Sequence, residues 1–201
     1  MSVKRSFVSV ITALCLFSPG LVAQTLPETV RGLLAKGSPE PPFKIPFTRQ
    51  GLDLDLAQMT SLADLIVLGP LSVSRTYLSA DETMILTDYS VLPSRVLFQR
   101  HPASRPAFGR GLTLTVEGGA MTIEGAQVVM SDNNMELPVG KPLVLLLQER
   151  KDGHFVIVGD VQGAFDVSTG QVRHLLKQSR RAEEYGAMTP EALIARLTAK
   201  K

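Results

Sequence analysis

The stretch Leu143-Val144-Leu145-Leu146-Leu147-Gln148-Glu149-Arg150-Lys151-Asp152-Gly153-His154-Phe155-Val156-Ile157-Val158 decides the fold class. Five consecutive apolar residues, Leu143 to Leu147, predict a strand buried on both faces. Lys151-Asp152-Gly153 makes the turn, because Asp-Gly tolerates positive φ. Phe155 to Val158 then pairs back as a hairpin. Gly159 and Gly163 flank a further turn, after which Ala164, Phe165 and Val167 continue as strand.

The same logic extends toward the N-terminus. Leu112, Leu114 and Val116 alternate with Thr113, Thr115 and Glu117, the pattern of a half-buried strand. Met121 and Ile123 share one parity after Gly118-Gly119, and Gln127 to Met130 predicts a further short strand. Met84 to Gln99 is extended, with Ile85, Thr87, Tyr89 and Val91 on one side and Pro93 marking an edge or a break. Leu65 to Leu68 is an apolar block that bends at Gly69-Pro70 and continues through Leu71 and Val73. Leu52, Leu56, Met59 and Ala63 recur at helical spacing, and either Asp53 or Asp55 can cap that helix.

The ends predict helices. Leu33 and Leu34 belong to a short helix starting near Pro27, within a Pro-punctuated lead over 24–51. Val172, Leu175, Leu176 and Ser179 are expected on one face of a helix; a second begins at Thr189 as N-cap with Pro190 at its first position, and carries Leu193, Ile194 and Leu197. The expected organisation is a signal peptide over 1–23, the lead over 24–51, a β domain over 52–170 and a helical segment over 171–201.

Five or six short, mostly antiparallel strands with glycine-marked bends and helices at both ends predict a mainly β chain, a small closed or partly closed barrel. The order of Ala63-Asp64-Leu65-Ile66-Val67-Leu68-Gly69, Thr87-Asp88-Tyr89, Gly140-Lys141-Pro142 before Leu143, Val158-Gly159 and Gly163-Ala164-Phe165 resembles small secreted bacterial proteins of unknown function. Their fold is similar to the netrin-like OB barrel, which the tissue inhibitors of metalloproteinases share. The resemblance implies an OB-like antiparallel barrel of five to six strands with a short N-terminal helix and C-terminal helices packed on it. The animal inhibitors act through a disulfide-held N-terminal cysteine. The only cysteine here is Cys15, within the leader, so that chemistry does not carry over.

The address is written in the first 23 residues. Lys4 and Arg5 precede an apolar run from Phe7 to Phe17, Pro19 and Gly20 break it, and Ala23 stands at a cleavage position. A membrane span needs roughly 20 apolar residues, and this run is 11. The expectation is therefore a periplasmic or secreted protein cut near Ala23, with cleavage after Gly20 as the other option. Leu14 in front of Cys15 argues against a lipoprotein acylation site, and Cys15 is then one more apolar residue of the leader. Removing Lys4 and Arg5 takes the formal charge from +2 to 0. The cleaved chain is neutral, and the full sequence has no Trp, three Tyr and eight Phe, so both the electrostatic footprint and the stacking platforms of a nucleic-acid binder are lacking. Positive charge concentrates instead over 171–201, where Arg173, Lys177, Arg180, Arg181, Arg196, Lys200 and Lys201 outnumber Glu183, Glu184 and Glu191. That segment is expected to be a solvated helical surface, with contact to anionic lipid or an acidic partner as the alternative.

No nucleophile elbow, zinc-protease helix, phosphate loop or dinucleotide fingerprint is present. Gly118, Gly119 and Gly125 lack the Lys or helix that a phosphate cradle needs. His101, His154 and His174 are expected at the surface, without metal-ligand spacing. A triad of His154 with Asp152 or Asp160 and a serine is the minor enzymatic option. Asp132, Asn133, Asn134 and Glu136 are the best cation candidates but are expected to form a polar turn. No catalytic, cofactor or metal residue is therefore assigned. The expected function is an exported, non-enzymatic binding module for an envelope protein or peptide, working through an exposed groove and the loops His101 to Arg110 and Ser131 to Lys141. A periplasmic or secreted hydrolase, or a hydrolase inhibitor, is the alternative.

Overall fold

In the computed structural model the described residues are 24–37, 41–47, 53–100, 111–132, 137–176 and 181–199. The chain is mainly β, with 42% strand and 21% helix. It opens with α1 (Leu26–Ala35) and β1 (Phe43–Phe47), then α2 (Leu56–Leu62) and four strands, β2 (Leu65–Gly69), β3 (Leu71–Leu78), β4 (Ile85–Val91) and β5 (Arg95–Gln99). β6 (Leu112–Glu117), β7 (Gly119–Ile123), β8 (Ala126–Asp132), β9 (Leu143–Glu149), β10 (Phe155–Ile157), β11 (Ala164–Asp166) and β12 (Arg173–His174) follow, and α3 (Ala182–Gly186) and α4 (Pro190–Thr198) close it.

β9 organises the molecule. β2 pairs antiparallel along one edge, from Leu65 opposite Leu147 to Gly69 opposite Leu143. The other edge is shared by β10 at its C-terminal half and β11 at its N-terminal half. Leu143, Leu145 and Leu147 enter one core with Leu65, Val67, Leu114 and Ile157. Val144 and Leu146 enter a second, with Ile66, Met59 of α2, Tyr185 of α3 and Leu193 of α4. Both faces are thus covered, which is why the apolar run does not alternate. Gly163 is required by this packing: a Cβ there would lie 2.9 Å from Leu146 O.

β2 and β3 form one long strand bent at Pro70, and β4 and β5 form its antiparallel partner, bent at Leu92 to Ser94. Backbone bonds run through the bend, from Leu92 N–H to Pro70 O (3.1 Å) and from Ser94 N–H to Leu68 O (2.8 Å). β4 pairs antiparallel with β6, and β6 meets β10 in parallel at Leu114 and Phe155. A three-stranded sheet, β1-β8-β7, carries α1 over a third core of Leu26, Val30, Phe43, Ile123 and Val128.

Helix starts follow the predicted chemistry. Asp55 caps α2, accepting from Gln58 N–H at 2.7 Å while Gln58 Oε1 accepts from Asp55 N–H at 2.8 Å. Thr189 caps α4 with Pro190 in the first turn. The lead holds the expected helix, α1, and its extended part includes β1; among the described residues β1 pairs with β8 alone, so Pro46 interrupts no ladder on its other edge. One expectation is corrected. Val172 to Leu176 is not helical: β12 pairs with β11 there, and Val172, His174 and Leu175 are buried. Ser179 lies outside the described residues.

Candidate functional site

A polar row crosses the face of β3, β4, β6 and the start of β10. Register places Arg75 beside Asp88 and Asp88 beside Thr115. Asp88 is 1% exposed. Its Oδ2 accepts from Arg75 Nε–H at 2.7 Å, and its Oδ1 accepts from the Thr115 hydroxyl at 2.6 Å and the Tyr77 hydroxyl at 3.2 Å. Burial alone would raise the Asp88 pKa; the bonds from Thr115, Arg75 and Tyr77 outweigh it and hold the carboxyl below the usual carboxylate range. The Arg75 guanidinium lies 4.7 Å from the Tyr77 ring centroid, so a carboxylate and an aromatic face fix one cation.

His154 closes the row. Its Nδ1 lies 3.0 Å from Thr115 Oγ1 and 3.9 Å from Asp88 Oδ1. Because the Thr115 proton goes to the carboxylate, Thr115 Oγ1 accepts from Nδ1–H, and in the neutral ring Nε2 is the unprotonated nitrogen. This geometry is the reverse of a nucleophile and its base: the imidazole gives a proton to the hydroxyl instead of receiving one. Asp152 binds the backbone N–H of His154 (3.1 Å) and pairs with Arg150, so it does not orient the ring.

The remaining predicted residues fall elsewhere. His174 is not at the surface; it is 7% exposed, in β12. Its Nε2 lies 2.7 Å from Gln162 O, and its ring stands 5.1 Å from Phe165 and 5.3 Å from Tyr185. Burial pushes its pKa down. Asp53 lies 3.8 Å from Arg181, and Asp160 occupies the turn before β11. Asp132 ends β8; Asn133, Asn134 and Glu136, like His101 and the whole loop to Arg110, lie outside the described residues. Among the described residues no group of three His, Cys, Asp or Glu is placed to hold a metal, and no helix is long and apolar enough to cross a membrane.

Two surfaces are open to a partner. An open cleft of about 530 Å3 runs between α4 and the β2–β5 pair, floored by Leu68, Val167 and Ile194 and rimmed by Arg95 and Glu191. The second is the margin of β3. Among the described residues the strands at the other sheet margins have a helix close by or an interruption: α4 is near β5, α3 near β12 and α1 near β7, and β1 contains Pro46. β3 pairs only with β4. Gly140 N–H takes Leu71 O at one end, and β7 approaches Thr76 at the other, so the uncovered stretch is Ser72 to Arg75. Val73 in that stretch is 54% exposed, and Val139, next to Gly140, is 53% exposed. No family model matches the chain, and neither the curated proteins nor the solved structures include a match to it.

Proposed function

We propose that this chain is an exported, non-enzymatic binding module of the cell envelope, built on an OB-like barrel, and that an extended segment of an envelope protein or peptide docks along β3. The barrel reading is supported by the order of pairing. From the bent strand Leu65–Leu78 the ladders pass to β4, β6, β10 and β9 and return to the bent strand, antiparallel except between β6 and β10. A five-stranded Greek-key circuit of that kind is the OB arrangement, in keeping with the netrin-like resemblance. Export is the reading of the leader, and cleavage near Ala23 leaves Gln24 one residue before the cap of α1.

The observation that carries docking is the uncovered, apolar-flanked margin at Ser72 to Arg75. An unpaired strand edge offers a row of backbone donors and acceptors, and adding a strand satisfies them. A bulge between Val73 and Arg75, together with the Arg75 charge, discourages indiscriminate pairing. In the hydrolase alternative Thr115 is not a nucleophile that His154 activates, because its hydroxyl proton goes to Asp88. For the basic C-terminal segment, solvation is favoured over lipid contact, since Arg173 meets Asp166, and Arg181 and Arg196 both approach Glu184.

The test is a cross-linking pulldown from the native cell envelope. Wild type is expected to recover a reproducible partner that Val73→Glu loses. Equal recovery by both, with V73E folded, would remove β3 from the proposal, and no reproducible partner at all would overturn the binding reading.

A further inference from the structure

We propose that Arg75 and His154, both mounted on the buried Asp88 carboxylate, form an oxyanion site that takes a carboxylate group. The proposal deepens the docking reading and rests on it for the ligand's source, an acidic side chain or chain end on the segment lying along β3. Arg75 spends its Nε–H on Asp88 and one face on Tyr77, yet its side chain is 62% exposed. The guanidinium is therefore oriented while the outer edge of its fork remains toward solvent, the geometry that favours a planar carboxylate. His154 spends Nδ1 on Thr115, and its side chain is 29% exposed. Its Nε2 makes no hydrogen bond among the described residues and reaches the surface on the same carboxylate hub.

Charge gives this pair its selectivity. The groups that meet the imidazole are Thr115 from β6 and Asp88 from β4; Asp152, paired with Arg150 at 3.2 Å, holds its backbone N–H, and Arg75 and Tyr77 from β3 reach the far side of the same Asp88 carboxylate. Asp88 and Arg75 cancel. A neutral His154 leaves the hub without net charge; a protonated one makes it a monocation with two donors pointing outward, Arg75 Nη–H and His154 Nε2–H. An arriving carboxylate restores neutrality, so its binding takes up one proton at Nε2.

The test is an NMR titration of the purified protein with acetate at constant ionic strength, chloride balancing, following the His154 Hε1 resonance across pH. Saturating acetate is expected to raise the His154 titration midpoint. Acetate affinity is expected to fall about tenfold for each pH unit above that midpoint, because one proton accompanies each anion. Arg75→Gln abolishes the response, Arg75→Lys weakens it, and His154→Asn keeps weak binding but loses its pH dependence. A midpoint that acetate does not move, or moves equally in folded R75Q, would overturn the site. Inorganic phosphate runs in parallel, and a response to phosphate with none to acetate would overturn the carboxylate assignment. Either failure leaves the Val73 pulldown unaffected, so loss of this site and loss of the docking reading are told apart.

Discussion

Asp88 is a charge that the fold has buried on the outward parity of β4 and then surrounded with donors. Its removal exposes the cost of that arrangement. Asp88→Asn takes the carboxylate from under Arg75, Thr115 and Tyr77 at once and is expected to lower stability by about 2 kcal/mol, the scale for weakening hydrogen bonds to a charged group at a buried site; urea denaturation measures it, and a change near zero would contradict the hub. The second residue-scale prediction concerns pH. His174 is neutral in both folded and unfolded chains above its ordinary pKa of about 6.5, so it has no effect there. As pH falls below that value the unfolded chain accepts a proton that the buried ring refuses, and stability drops until the depressed folded pKa is passed. Asp88 and Asp166, both held low in the folded state, add a second loss only once pH falls below the ordinary carboxylate value. His174→Gln is expected to flatten the upper limb and leave the lower one. Parallel curves for the two proteins between about pH 6.5 and 4.5 would refute this account of the ring. Sequence reading expects both His154 and His174 at the surface; the His154 side chain is partly exposed and His174 is buried. Burial of His174 depends on how the neighbouring elements fold back on it, with Phe165 of β11 and Tyr185 of α3 closing over the ring. Asp88 looked like the polar half of an alternating strand, because the partners that bury it belong to β3, β6 and the turn before β10.

At the scale of elements, the long and self-contained signals were legible. The five-residue apolar run is β9, Asp-Gly is its turn with Gly153 at φ +80°, and Asp55 and Thr189 are caps. Val172, Leu175 and Leu176 were misassigned because three apolar residues at spacings of three and one fit a helix face or a short buried strand equally well. Pairing with β11 decided the matter. The two-sided burial of β9 makes a sharp prediction: Leu145→Ala and Leu146→Ala, one in each core, should both cost about 3 kcal/mol. A large loss at one and a small loss at the other would mean that one face is open to solvent. Asp55→Ala should cost about 1 kcal/mol through the lost cap, read by the same denaturation experiment.

The whole molecule is where local sequence says least. Nothing in Leu112–Glu117 or Phe155–Ile157 announces that these strands meet in parallel, since that pairing is set by what surrounds them. Mainly β composition and helices at both ends are readable; the twelve strands and three cores among the described residues, and the second sheet under α1, are not. The docking proposal also belongs to this scale, because β3 is available only through where the other elements lie. Site-specific photocross-linking in intact cells tests it most directly, with the cross-linker placed at Val73 and, for comparison, at Leu62, an exposed apolar residue at the end of α2. The account predicts a discrete adduct at position 73 and none at 62. Adducts of the same kind at both positions, or none at 73 in correctly exported protein, would contradict it.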